Sequence, residues 1–255
     1  MMSMSSAVSR ATLLVDLPIS AIQVRVAGRQ RLSSVAAELT ARVWRGAIER
    51  HPDLYDGGLC RLVSRRFGPA CGILILERTK YSAYLATRAP EAVKQGFDER
   101  ADPLGLTVLV QARDGRILAS RRSPVAEQNP NGLYFVGGYR EPPERDGEVD
   151  FPEEVAREVR EEIGLELSPS SVHMLGLGYD PSFCHPEAFF LAQTECEPDH
   201  VIQAARNARD AFEVGKLFWL GRQEVFAAMQ GSPDGDSWSF RTGTALLQVC
   251  SPRSS

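Results

Sequence analysis

The stretch "AREVREEIGLEL", Ala156 to Leu167, places four glutamates and two arginines in twelve residues. Glu158, Glu161 and Glu162 fall within five positions, where like charges repel. Extended upstream, residues 152–163 are expected to form a helix. Asp150 can cap it, with Glu153 at capping-box spacing. Pro152 suits the first turn and Gly164 is a natural stop. At about 100° per residue, Val155, Val159 and Ile163 form one stripe, the side that should meet the core. Glu154, Glu158, Glu161 and Glu162 gather about 130° round from it. Glu158 and Glu162 are one turn apart and repel in isolation. The last glutamates also sit at the helix end where the macrodipole opposes negative charge.

A solvated acidic face, balanced by Arg157 and Arg160, is the bland reading, since charge runs usually face water. A bound divalent cation would reverse the repulsion. Hard oxygen ligands at one-turn spacing suit Mg²⁺ or Mn²⁺, which typically take one or two carboxylates plus substrate phosphate oxygens. Upstream, "VGGYREPPE", Val136 to Glu144, runs a strand into Gly137-Gly138. There the backbone can turn sharply and present carbonyls to a ligand.

Together these stretches resemble the Nudix hydrolase signature: a glycine, five residues, a glutamate, seven residues, then Arg-Glu-apolar-x-Glu-Glu-x-Gly-apolar. Gly138, Glu144, Arg157, Glu158, Val159, Glu161, Glu162, Gly164 and Leu165 match its elements. Two departures stand out. Val136 occupies the place where a proline often precedes the glycine pair, and twelve residues separate Glu144 from Arg157 where the pattern has seven. The insert "RDGEVD", residues 145–150, is expected to loop out before the helix. It leaves the helical glutamates untouched and the role of Glu144 open.

The resemblance implies an α/β fold: a Nudix α/β/α sandwich with a mixed sheet over residues 101–255, and an N-terminal α+β extension over 1–100 packed on it. The flanks look like the Nudix hydrolases that cleave UDP-glucose and UDP-galactose. That likeness rests on "LTARVWRGAIERHPDLYDGGLCRL", "RTKYSAYLATR", "ADPLGLTVLV" and "RRSPVAEQNPNGLYFVGGYREP". It implies Mg²⁺-dependent cleavage of a UDP-sugar to UMP and a sugar 1-phosphate, with Mn²⁺ as a possible substitute. ADP-ribose, dinucleotides, coenzyme A and oxidised nucleotides share the same box. A non-catalytic Nudix binding module is the alternative of another class; such proteins usually lose helical glutamates.

Residue roles follow from the same resemblance. Glu158 and Glu162 are the expected metal ligands, Glu161 an additional one, and the Gly138 carbonyl a further one. Arg157 is expected to hold a glutamate in place. Glu187, in "CHPEAFF", is the expected general base, with His185 as second choice. Arg121 or Arg122 would meet phosphate through a bidentate guanidinium. They end a strand, where adjacent side chains face opposite ways, so a regular strand lets only one do so. Tyr81 would line the nucleoside pocket or serve as a structural tyrosine. Tyr134 and Phe135 are expected in the core.

The remaining sequence bounds the class. The chain has 255 residues and a formal net charge of −4. No long basic block argues for nucleic acid or an acidic membrane as partner, and no apolar run approaches a membrane span of about 18 residues. Five widely spaced cysteines with no CxxC disfavour a disulfide framework and fit a cytoplasmic location. A homodimer is possible. Strands are expected at 11–28, in "CGILILERT", "LTVLVQA", "RILASRR", "GLYFVGG", "VHMLGLGY", "EAFFLAQTEC" and "KLFWL". Helices are expected in "SSVAAELTARVWRGAIERHP", with Val35, Leu39, Val43, Trp44 and Ile48 on one face, and in "HVIQAARNARDAF" and "RQEVFAAM", while "PEAVKQGFDERADPLG" reads as a short helix followed by a connector.

Overall fold

The computed structural model describes residues 12–94, 99–124, 128–209, 214–231 and 237–250. In chain order the elements are β1 (Leu13–Pro18), β2 (Ile22–Arg29), α1 (Ser34–Arg50), β3 (Gly58–Phe67), β4 (Gly72–Lys80), α2 (Tyr81–Arg88) and α3 (Pro90–Lys94). Next come β5 (Gly105–Ala112), β6 (Ile117–Arg122), β7 (Leu133–Tyr134), β8 (Val136–Tyr139), β9 (Gly147–Val149) and α4 (Phe151–Ile163). The chain continues through β10 (Val172–Asp180), β11 (His185–Thr194), α5 (Pro198–Ala205), β12 (Val214–Leu220), α6 (Arg222–Gly231) and α7 (Trp238–Cys250).

Two mixed sheets result. The larger runs β1-β10-β11-β5-β6-β12, with β7 beside β6 and β8 beside β5; the smaller runs β3-β4-β2-β9. In the larger sheet β11 and β5 are parallel. Strand alternation gives that sheet two apolar faces. Leu106, Val108 and Val110 of β5 join Ala188, Phe190 and Ala192 of β11 and Val155, Val159 and Ile163 of α4 in one core. The smaller sheet adds Val24, Val26, Leu62, Leu74 and Leu76 to it. The opposite face, with Leu109 and Phe189, packs with Phe240, Leu246 and Leu247 of α7. The architecture is thus α/β, a mixed sheet between helical layers.

The helix expected at 152–163 forms over Phe151–Ile163, and its cap is as read: the Asp150 carboxylate accepts from the Glu153 N–H at 3.1 Å. Gly164 ends it in the left-handed conformation, φ 66°. Helix α1 also forms, but its buried stripe is Ala36, Leu39 and Ala47, while Val35 is 60% exposed. The stripe is rotated because small residues let α1 lie close to Ala86 and Ala92 of α2 and α3. The insert after Glu144 does not loop out. It forms β9, antiparallel to β2. Asp146 accepts from the Gly28 N–H at 2.8 Å and pairs with Arg78, whose Nε donates to the Pro143 carbonyl at 3.1 Å. Strand β3 and helices α2 and α7 were not foreseen. Residues 210–213 of the helix expected in "HVIQAARNARDAF" lie outside the described residues.

Candidate functional site

The site begins where β8 passes α4. A Cβ at Gly137 would fall 1.9 Å from the Leu106 carbonyl oxygen, and one at Gly138 would fall 2.7 Å from Glu158 Oε2. The first contact is with neighbouring backbone and cannot relax, so the strand pairing itself requires glycine there. The second leaves room for the Glu158 carboxylate against the Gly138 backbone. The Gly137 N–H donates to Glu162 Oε2 at 3.1 Å. The glycine pair and the helical glutamates therefore meet, as the resemblance implied.

Arg157 organises the carboxylates. Its guanidinium donates to Glu158 Oε1 at 2.7 Å, to Glu161, and to Glu154 at 3.4 Å. Glu154 is held from the other side by Arg140 at 3.1 Å, whose side chain is only 3% exposed. Arg209 pairs with Glu161 at 2.7 Å. A relay thus runs from the glycine strand through Arg140, Glu154 and Arg157 to the two glutamates. Burial pushes the Glu158 carboxyl up to about 7, against the lowering effect of Arg157.

These carboxylates open on a cavity of about 830 Å³. Glu158, Glu161, Glu162, Arg157, Gly137 and Gly138 line one end. Tyr55, Tyr81, Tyr139 and His185 line the rest, with Arg122, Tyr134 and Gln128. Alternation settles the arginine pair. Arg122 faces the cavity, its guanidinium 4.8 Å over the Tyr134 ring, and its buried Nε has no hydrogen-bond partner among the described residues. Arg121 is exposed and donates to the Asn131 carbonyl at 2.7 Å. Tyr81 lies on the cavity wall, edge-on to Trp44 and Tyr84. Tyr134 and Tyr139, which lie on short strands, were missed as lining residues. The two-residue length of β7 leaves no periodicity from which to read a facing direction.

Glu187 differs from its expectation. It sits within β11 on the face shared with Phe189, opposite the α4 face, and is fully buried. Its carboxyl accepts from Ser239 Oγ at 2.7 Å, from Thr107 and from Tyr134 at 3.5 Å. Burial pushes it up to about 7. It is enclosed behind Tyr134 and is not among the residues that line the cavity. His185 does line the cavity, but burial pushes it down to about 4. Its ring is edge-on to Tyr139 and Tyr84.

The α4 face has the donor set a hard cation takes: carboxylates within a turn of one another beside a glycine backbone. Among the described residues no group of three or more His, Cys, Asp or Glu side chains is placed to hold a metal ion. An open face that leaves positions for phosphate oxygens and water fits Mg²⁺, which keeps several of both. The desolvated Glu158 carboxyl is the group whose burial such a cation would offset.

The NUDIX domain model matches residues 102–240. The chain is 30% identical over 219 residues to the m7GpppN-mRNA hydrolase NUDT17 of Bos taurus, covering 79% of this chain and 69% of that protein. It is 31% identical over 165 residues to the protein of that name from Xenopus laevis, covering 59% and 53%. It therefore spans between about half and two thirds of these relatives' length. Among solved structures, a MutT NUDIX hydrolase from Burkholderia pseudomallei is similar over 57% of this chain and 96% of that one, at 22% identity and a TM-score of 0.37. At that distance the likeness says nothing about substrate.

Proposed function

Since the chain belongs to the NUDIX family, we propose that it is a divalent-metal-dependent hydrolase of a phosphoanhydride bond in a nucleoside diphosphate or polyphosphate derivative. The observation that carries this reading is the buried Glu158 carboxyl, held against Gly138 by Arg157 at one end of the cavity that Glu161 and Glu162 also line. Glu158 and Glu162 would hold the cation, with Glu161 and the Gly138 carbonyl as further ligands. When bound, Mg²⁺ or Mn²⁺ supplies neutralisation of phosphate charge and a water of lowered pKa.

The chain's own residues supply binding and orientation. Arg122 offers its guanidinium to a phosphate, held over the Tyr134 ring so that little freedom is lost on binding. Arg157 fixes the rotamers of Glu158 and Glu161, so the carboxylates do not have to reorganise during turnover. The tyrosine-lined wall excludes water from the non-reacting part of the substrate.

Two substrate classes follow. The relatives' name favours m7GpppN, in which a phosphate chain joins two nucleosides. The flanking likenesses favour a UDP-sugar. ³¹P NMR of the protein with m7GpppG, UDP-glucose and ADP-ribose in Mg²⁺ separates them. Cleavage of m7GpppG alone selects the first and cleavage of UDP-glucose alone the second. If no phosphoanhydride is cleaved with Mg²⁺ or Mn²⁺, the hydrolase reading falls and a non-catalytic binding module takes its place.

A further inference from the structure

The cavity has a feature that the carboxylate end does not explain. Tyr55, on the connector between α1 and β3, lines it while 82% exposed. Among the described residues its ring makes no aromatic contact and its hydroxyl no hydrogen bond. Scattered exposed aromatics are ordinary. This one is not loosely placed. The next residue, Asp56, accepts from the Ser82 N–H at 2.8 Å and from Ser82 Oγ at 3.1 Å, and pairs with Lys80 at 3.3 Å. The Tyr81 N–H donates to the Gly57 carbonyl at 2.9 Å. Asp56 and Gly57 therefore pin the connector to the first turn of α2, beside Tyr81. Tyr81 is itself fixed by edge contacts with Trp44 and Tyr84, their ring centroids 6.3 and 6.2 Å away. A rigid mount thus presents one solvent-facing ring on the wall of the cavity that the helical glutamates also line.

We propose that Tyr55 is the stacking platform for the nucleobase of the substrate, so that the N-terminal region supplies the base subsite while α4 supplies the phosphate chemistry. The proposal rests on the hydrolase reading above and deepens it. Every base has a π-face, and stacking on an aromatic side chain is tolerant of base identity, so the same ring serves either substrate class. A bound base would also cover apolar ring surface that is now wet.

The test is equilibrium binding of GMP, 7-methyl-GMP and UMP, followed by intrinsic fluorescence, for the wild-type protein, Tyr55→Phe and Tyr55→Leu. Thermal unfolding of each variant serves as the fold check. The expected result is that Tyr55→Leu weakens the nucleotide the protein prefers by about tenfold, while Tyr55→Phe keeps wild-type affinity. Unfolding temperatures are expected to stay together, because the ring is exposed. In turnover the same leucine variant is expected to raise KM about tenfold with little change in kcat. Equal affinity of wild type and Tyr55→Leu overturns the proposal, and so does the absence of nucleotide binding by the wild type. Nucleotide binding that depends on Tyr55 without any hydrolysis sinks the hydrolase reading and leaves the base subsite standing.

Discussion

Glu158 and Glu187 are both pushed up to about 7 by burial, yet they sit in unlike surroundings. Glu158 touches a guanidinium, lies against a glycine backbone and opens on the cavity. Glu187 is enclosed by two hydroxyls and a phenol on the other face of the sheet. A raised pKa marks desolvation in both. On the proposed function, access to the cavity is what gives Glu158 work to do on a substrate. The electrostatic cost of burying Glu158 is offset by Arg157 and, on the proposed function, by a bound cation. Glu187 has no cation beside it among the described residues, and protonation is the cheaper way to keep it neutral.

The largest effect that could break this contrast is on turnover. Glu162→Gln keeps the hydrogen bond from the Gly137 N–H but removes a ligand charge. Its kcat/KM is expected to fall by about 10³-fold, roughly 4 kcal/mol, with the far-UV spectrum unchanged. A variant within tenfold of wild type would mean that the α4 face is only a solvated acidic surface.

Next comes Arg140, which belongs to the Glu158 side of the comparison. Removing it leaves Glu154 without its buried partner, and Arg140→Ala is expected to cost about 3 kcal/mol in denaturant unfolding. Arg140→Lys should recover part of that. If the alanine variant also needs more Mg²⁺ for half-maximal rate, the relay through Glu154 to Arg157 positions the ligands as well as the helix.

Glu187→Gln sharpens the contrast through pH. In the native protein the carboxyl stays protonated up to about 7, whereas an unfolded chain ionises near its ordinary value of 4.5. Between those values the folded state holds the extra proton, so wild-type stability falls as pH rises and stays reduced above about 7. The glutamine variant lacks that slope. At pH 8 it should be the more stable of the two by about 3 kcal/mol, and near pH 4 the advantage should vanish. Equal pH slopes in urea unfolding would show that Glu187 is not desolvated in this way.

The smallest effect belongs to Asp146 in the insert. Its pair with Arg78 is solvent-exposed on the Asp side, and Asp146→Asn should leave the unfolding midpoint within error. A clear loss would mean that β9 holds the N-terminal sheet through that contact rather than through its backbone pairing with β2.

Helix α4 was legible because one short segment carries its own evidence: cap, stop, apolar stripe and acidic face all agree over Phe151–Ile163. The meeting of Glu158 and Glu162 with Gly137 and Gly138 was carried by the resemblance of the two stretches to one signature, not by a local pattern. The fate of Glu187 was not. "EAFFLAQ" is apolar from Ala188 to Ala192, so no local signal says which face of β11 meets α4 and which meets α7. Helix α7, which decides the matter through Ser239, was itself unread, its Ser-, Thr- and Gly-rich first half masking the apolar stripe of Phe240, Leu246 and Leu247. The insert was misread because a three-residue strand has too little pattern to show, and its partner β2 lies more than a hundred residues away.

The most direct measurement is initial rate against Mg²⁺ concentration for wild type, Glu158→Gln and Glu187→Gln, on whichever phosphoanhydride the substrate panel selects. Wild type and Glu187→Gln are expected to rise to saturation with Mg²⁺, within tenfold of each other, while Glu158→Gln stays near background at every concentration. Wild-type rates from Glu158→Gln, or a Glu187→Gln variant as inactive as Glu158→Gln, would contradict the assignment of the chemistry to the α4 face.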